Sequence, residues 1–300
     1  MKINIYHIIF IILLPYLAYS QSIENDTIVG KIKLTSISKV NQEESYITFP
    51  TDIGNIESLW FEANIKPDFY IRTSKDARLI GVLTPQITIR MYREESFPVR
   101  TPSYIPQMTA YYRLSSKKKA NSLSAFFKLA HHSNGQDGDF YLENGEINKK
   151  TGSFATNYIE AGIIKTNFIK KFNAVQFIST SFEVHPENFT DEELVGLYSL
   201  YRWNTIVSFF KLPQENNDLP KKASISLKAK STWLFGNVQD WNFFEEKRFN
   251  IALTFFYHPD FFEDIGFFAS FYHGMDYYNI YFNHQITVLR FGIMTEKLKF

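Results

Sequence analysis

The stretch Ala120–Gly135, ANSLSAFFKLAHHSNG, constrains the fold more than any other part of the chain. Read as a strand, its side chains alternate between two faces. Leu123, Ala125, Phe127, Leu129, His131 and Ser133 share one face, while Ser122, Ser124, Phe126, Lys128, Ala130 and His132 share the other. The first face is apolar until it ends in a histidine and a serine; the second is mostly polar. In a soluble sheet the apolar face would be the core and the His–Ser pair an ordinary rim. In a transmembrane barrel the apolar face meets lipid, and the same pair sits on the outside wall at the height of lipid ester groups.

The rest of the chain favours the barrel. From Glu57 onward, eleven aromatic-rich segments are separated by turn signals: roughly Ser58–Thr73, Leu79–Arg93, Ser103–Ser115, Ala120–Asn134, Ser153–Thr166, Phe172–Val184, Val195–Lys211, Lys222–Phe235, Lys247–His258, Ile265–Phe282 and Gln285–Phe300. Many exceed the ~5–6 residues of a globular strand and match the ~9–11 that cross a bilayer at a tilt. An even number of strands needs one more, from the preceding arm or from a split of Ser58–Thr73. The 30 Phe, 18 Tyr and 4 Trp, 17% of the chain, suit such a wall. Long polar loops, Gly135–Gly152 and Phe182–Glu193, alternate with short turns such as Asn167–Lys171, and the last segment ends in Phe300. No segment has a sustained helical period. The expected fold is all-β, an antiparallel transmembrane β-barrel of about twelve strands.

The N-terminus points the same way. Lys2, the apolar run Ile8–Leu14 and the small residues of Ala18-Tyr19-Ser20 read as a cleaved signal peptide. The expected organisation is a signal peptide at 1–20, a polar arm at 21–56 holding at most one strand, and the barrel at 57–300. An exported chain with no ~20-residue apolar run elsewhere can enter a membrane only as a closed barrel, which places it in the outer membrane of a Gram-negative bacterium. A net charge of +1 suggests no nucleic-acid partner, and the absence of cysteine excludes disulfides, thiolate catalysis and cysteine metal sites.

The polar interruptions of the apolar face carry the chemistry. In Ser153–Thr166 the positions Ala155, Asn157, Ile159, Ala161 and Ile163 form an apolar face broken by one asparagine. Asn144-Gly145 is a hairpin signal, and residues 131 and 157 are equidistant from Asn144, so a simple register sets them side by side. A serine needs a base to take its proton, and the base needs a partner that fixes its tautomer. His131 and Ser133 supply the first pair. Asn157 can orient the imidazole through its amide oxygen, and Gly135 can turn its N–H toward an oxyanion. An isolated H-x-S is more often a polar loop entry, with His132 facing the interior. Asp137, Asp139 and the run Lys117-Lys118-Lys119 read as solvated loop charges.

HHSNG followed by SFATN resembles the active-site hairpin of the outer-membrane phospholipase A family, H-x-S-N-G, a loop, then S-W-N. Glu94–Arg100 (EESFPVR) and Tyr104–Gln107 (YIPQ) resemble the family's E-E-S-x-P-x-R and Y-E-P-Q, and Tyr272-His273-Gly274, Tyr278–Asn283 and Arg290-Phe291-Gly292 follow its last two strands. The resemblance implies a calcium-dependent phospholipase A1/A2 that cleaves acyl esters of phospholipids and lysophospholipids as a homodimer. It makes His131 the base, Ser133 the nucleophile, Asn157 the orienting residue and Gly135 an oxyanion donor. Calcium would fall to Ser96 of the partner subunit and to the carbonyls of Gln136 and Ser153. Gln136 stands where the family has arginine, the loop after Gly135 is longer, and Phe154-Ala155-Thr156 replaces the step before the asparagine. The alternative is a non-enzymatic barrel, a pore or structural protein; inward Ser122, Ser124, Lys128, Tyr158 and Glu160, hydrogen-bonded to one another, would fill the lumen and favour the enzyme.

Overall fold

The computed structural model describes residues 32–49, 53–54, 58–115, 121–212, 223–259 and 261–295. The signal-peptide segment, Lys117–Lys119 and Phe300 lie outside these. Thirteen strands form one antiparallel sheet: β1 (Tyr46–Thr48), β2 (Leu59–Ile65), β3 (Phe69–Ile71), β4 (Leu79–Tyr92), β5 (Val99–Arg113), β6 (Ser122–Ser133), β7 (Ala155–Ile169), β8 (Ala174–Val184), β9 (Tyr201–Lys211), β10 (Ile225–Phe235), β11 (Phe249–Tyr257), β12 (Ile265–Met275) and β13 (Gln285–Thr295). β1 pairs with β13 through Tyr46↔Met294 and with β2 through Tyr46↔Asn64, and β2 pairs with β4, so the sheet closes on itself. β2 and β3 lie on the same neighbour, Ile65 opposite Ile87 and Phe69 opposite Leu83. They are one stave interrupted at Lys66-Pro67-Asp68, where the proline has no N–H for a ladder. The barrel therefore has twelve staves.

The twelfth stave comes from the arm, through β1; the first aromatic segment is split yet still supplies a single stave. The expected strand Ile265–Phe282 ends at Met275 and residues 276–284 turn inward. Leu59, Tyr92, Phe140, Phe154, Leu194, Tyr198, Tyr278, Ile280, Tyr281 and Phe282 pack together there and fill the long-loop end.

Alternation along the staves sorts the side chains as a membrane wall requires. Leu83, Met108, Phe127, Leu129, Ile163, Phe182, Leu253, Phe255, Phe271 and Leu289 are exposed on the outside, an apolar band too extensive for a water-soluble surface. Inside, Arg90 forms a bidentate pair with Asp276 at 2.7 and 2.9 Å and bonds Glu62 at 2.7 Å. Lys128 bonds Glu160 at 2.7 Å, and Ser181 donates to the same carboxylate at 2.6 Å. Such pairs satisfy charges that the wall takes out of water. A cavity of about 350 Å³ remains between them.

One end of the lumen departs from the expected polar filling. Residues 32–37 form no strand; a short helix, α1 (Leu34–Asn41), lies inside the barrel. Leu34, Ile37 and Val40 recur at three-residue steps and pack against Ile80, Val82, Tyr111, Phe126, Ile164, Val175, Phe177 and Phe210. Eight residues are too few for a stable isolated helix, so this packing holds it. Glu43 and Glu44 then pair with Lys228 and Lys230 on β10. Ser122 and Ser124 are buried near this plug, and their hydroxyls make no hydrogen bond among the described residues, contrary to the polar network expected of them.

Candidate active site

β6 and β7 are joined by the 134–154 loop, whose tip is a tight turn: Leu142 and Glu146 are hydrogen-bonded at 2.8 Å and Gly145 has φ +82°. This symmetric hairpin places His131 opposite Asn157 and Ser133 opposite Ala155. Burial alternates in step. Phe127, Leu129, Ile159 and Ile163 are exposed outside, whereas His132 and Thr156 are buried inside, so His131, Ser133 and Asn157 share the outward, half-buried face. His132 points inward against the Phe154 ring.

His131 Nδ1 lies 3.0 Å from Asn157 Oδ1. The amide oxygen accepts only, so Nδ1 carries the proton and Nε2 keeps its lone pair. Ser133 follows on the same face two residues on, at the mouth of the barrel. Tyr104 on β5 is paired with it and adds an exposed aromatic side chain beside it. Gly135 has φ +67°, a conformation that favours glycine, and its Cα lies under the Tyr104 ring, whose nearest carbon would be 3.2 Å from a Cβ.

The residues proposed for a cation fall into two places. Gln136 and Ser153 lie on adjoining strips of the 134–154 loop, where Gly138 N–H donates to the Thr151 carbonyl and Ser153 N–H to the Gly138 carbonyl. Ser96 lies apart, exposed on the β4–β5 loop with φ 65°. Asn134, only 1% exposed, binds the strips together. Its Nδ2 donates to the Gly152 carbonyl at 2.8 Å, and its Oδ1 accepts from Gln136 N–H at 3.2 Å and Phe154 N–H at 3.1 Å. Asp191, from the β8–β9 loop, accepts from Ser153 Oγ at 3.1 Å and Ala155 N–H at 2.7 Å. Among the described residues no three His, Asp or Glu side chains gather at one point. The donors at hand are carbonyl, hydroxyl and single carboxylate oxygens, a hard set of the kind calcium takes. Asp137 and Asp139 are exposed on the loop.

Sequence reading did not single out Tyr104, Asn134 or Asp191. Asn134 was visible in the HHSNG motif, but its role as a clamp depends on the fold of the loop. Asp191 is 34 residues from Asn157 and meets the site only because the β8–β9 loop folds back. Behind the site, burial lowers the pKa of His185, just past β8, against the opposing pull of Glu183. Burial likewise raises that of Tyr198 in the same loop.

The barrel shares its fold with outer membrane phospholipase A from Escherichia coli, with a TM-score of 0.58 and 13% identity over 89% of this chain and 100% of that one. An active-site mutant of the same enzyme gives the same figures. The outer membrane phospholipase dimer of Salmonella typhi with bound calcium matches at a TM-score of 0.58 and 14% identity, over 89% of this chain and 100% of that one. No protein-family model matches the sequence, and no curated protein matches it. The likeness is one of fold, and it agrees with the resemblance seen in the motifs. With its closed wall and apolar exterior, the chain is an outer-membrane β-barrel that shares its fold with these enzymes.

Proposed function

We propose that the chain is a calcium-dependent phospholipase A that cleaves acyl esters of phospholipids and lysophospholipids on the lipid-facing side of its wall. The observation that carries this reading is the 3.0 Å contact between His131 and Asn157, made on the outer face of a wall whose membrane band is apolar. A histidine and an asparagine desolvated toward lipid cost free energy that a purely structural wall has no reason to bear.

The chemistry follows from the residues. His131 Nε2 takes the Ser133 proton as Oγ attacks the acyl carbonyl, and returns it to the glycerol oxygen as the ester bond breaks. A water then attacks the acyl-serine by the same route, releasing the fatty acid and restoring Ser133. Asn157 holds the imidazole with Nδ1–H toward its amide oxygen but carries no charge, so it stabilises the imidazolium less than an aspartate would. The Gly135 N–H donates to the developing oxyanion. Calcium, held by the carbonyls of Gln136 and Ser153 and by Ser96 of the partner subunit in a homodimer, would supply positive charge beside that oxyanion.

The test is release of fatty acid from mixed micelles by the native chain and by Ser133→Ala, each with calcium and with chelator. Calcium-dependent hydrolysis lost in Ser133→Ala is the expected result. Hydrolysis that survives the substitution removes the triad, and ion conductance without hydrolysis replaces the enzyme with a pore.

A further inference from the structure

Beyond Val184 the β8–β9 connection does not leave the wall at once. It runs back along the edge of β7, and residues Pro186–Asp191 lie as a strap beside Ser153–Asn157. One 3₁₀ turn, Glu187–Phe189, shapes it. Asp191 N–H donates to the Ala155 carbonyl at 2.9 Å, and the Asp191 carboxylate receives the Ala155 N–H at 2.7 Å. Thr156 and Thr190 form a bridge between the two segments.

The strap meets the triad at Asn157. The Phe189 carbonyl accepts from Asn157 Nδ2 at 2.9 Å. A backbone carbonyl has no proton to give, so the atom facing it must be the amide nitrogen. That fixes the flip of the Asn157 amide, turns Oδ1 toward His131 Nδ1 and selects the tautomer that leaves Nε2 basic. Without the Phe189 carbonyl, the amide would have no partner forcing one orientation over the other.

The Phe189 carbonyl is itself held from the inner side of the wall. Thr190 Oγ1 lies 2.9 Å from Thr156 Oγ1, Thr156 Oγ1 lies 2.9 Å from His185 Nδ1, and His185 Nε2 lies 2.8 Å from Glu183 Oε1. The protons run one way with a neutral imidazole. Nε2–H donates to Glu183, the Thr156 hydroxyl to Nδ1 and the Thr190 hydroxyl to Thr156. Thr190 Oγ1 also lies 3.1 Å from the Pro186 carbonyl, so its one proton is shared between Thr156 Oγ1 and that carbonyl in a three-centre bond that ties the turn to the hydroxyl. Each hydroxyl is placed by a buried partner, and the residue next to Thr190 carries the carbonyl that meets Asn157.

We propose that the 186–191 strap is the positioning element of the site, with the Phe189 carbonyl orienting Asn157 and Thr190 as the residue that locks it. The proposal rests on the hydrolase reading for its effect on turnover, and on geometry alone for its effect on the imidazole. Thr190→Val keeps the shape of the side chain and removes the hydroxyl. It is expected to lower kcat roughly tenfold, as the loss of one well-placed hydrogen bond does, with KM unchanged because Thr190 faces away from lipid. Thr190→Ser is expected to restore kcat. Thr156→Val should act like Thr190→Val, and the double variant should be no worse than either, as for two ends of one link.

The second readout is the ¹⁵N shift of the His131 ring nitrogens in micelles, on variants that still migrate as folded barrels. The native chain is expected to show Nδ1 protonated and Nε2 bare, and Thr190→Val a mixture of the two tautomers. Native kcat in both valine variants, an unchanged tautomer, or a serine variant no better than valine would each overturn the proposal. A native chain that hydrolyses nothing, yet loses its single tautomer in Thr190→Val, would leave the strap standing and remove the hydrolase.

Discussion

Asn134→Ala is the perturbation that probes the site most sharply without touching the triad. The side chain is 1% exposed and makes three hydrogen bonds, to Gly152 O, Gln136 N and Phe154 N. Alanine removes all three and leaves buried backbone groups without partners. At about 1 kcal/mol net for each bond, the loss is about 3 kcal/mol. The twelve-stave wall does not depend on these bonds, so the loss falls on the base of the 134–154 loop, which carries Gly135, Gln136 and Ser153. If all of it is felt at the transition state, hydrolysis slows by about two powers of ten. The calcium concentration needed for half activity should rise as well, because Gln136 and Ser153 are no longer held together. The assay is fatty-acid release against calcium concentration, with heat-modifiable gel migration as the control for an intact barrel. A folded Asn134→Ala protein with native turnover and a native calcium requirement would refute the account of the loop.

Gly135→Ala asks an L side chain to adopt φ +67° and to approach the Tyr104 ring at 3.2 Å. At about 1–2 kcal/mol for a left-handed residue, kcat should drop by about tenfold while the barrel stays folded, measured by hydrolysis and gel migration together. Ile37→Ala removes a fully buried side chain from α1. It should cost about 2–5 kcal/mol, read as a lower temperature for loss of the compact gel form. The triad lies at the other end of the lumen, so turnover at low temperature should be unchanged.

The wall was legible in the sequence because a membrane barrel writes itself as a period of two, seen in Ala120–Gly135 and Ser153–Thr166, and as many long aromatic segments between turns. The pairing of His131 with Asn157 was legible for the same reason: Asn144-Gly145 marks the centre of a symmetric hairpin, and counting outward gives the register. What could not be read was whatever depends on contacts distant in sequence. The arm reads as polar with at most one strand, yet Leu34, Ile37 and Val40 form a helix because Ile80, Val82, Phe126 and Phe177 line a socket for them. Those inward apolar residues broke the polar alternation of their own strands, a signal that the lumen had an occupant. Ser122 and Ser124 are expected in a polar network but are buried with hydroxyls that find no partner among the described residues. Residues 276–282 resembled a continuing strand by composition, but their aromatic side chains are buried in the cap at the long-loop end. Asp191 and Phe189 reach the site by loop folding, which no local period records.

Ser133, as proposed, is a nucleophile facing hydrocarbon. Treating the native barrel in lipid bilayers with a long-chain alkyl fluorophosphonate and locating the adduct by mass spectrometry tests it directly. One adduct is expected, on Ser133, formed in the presence of calcium and absent from His131→Ala. An unmodified Ser133, or labelling that is indifferent to His131, would contradict it.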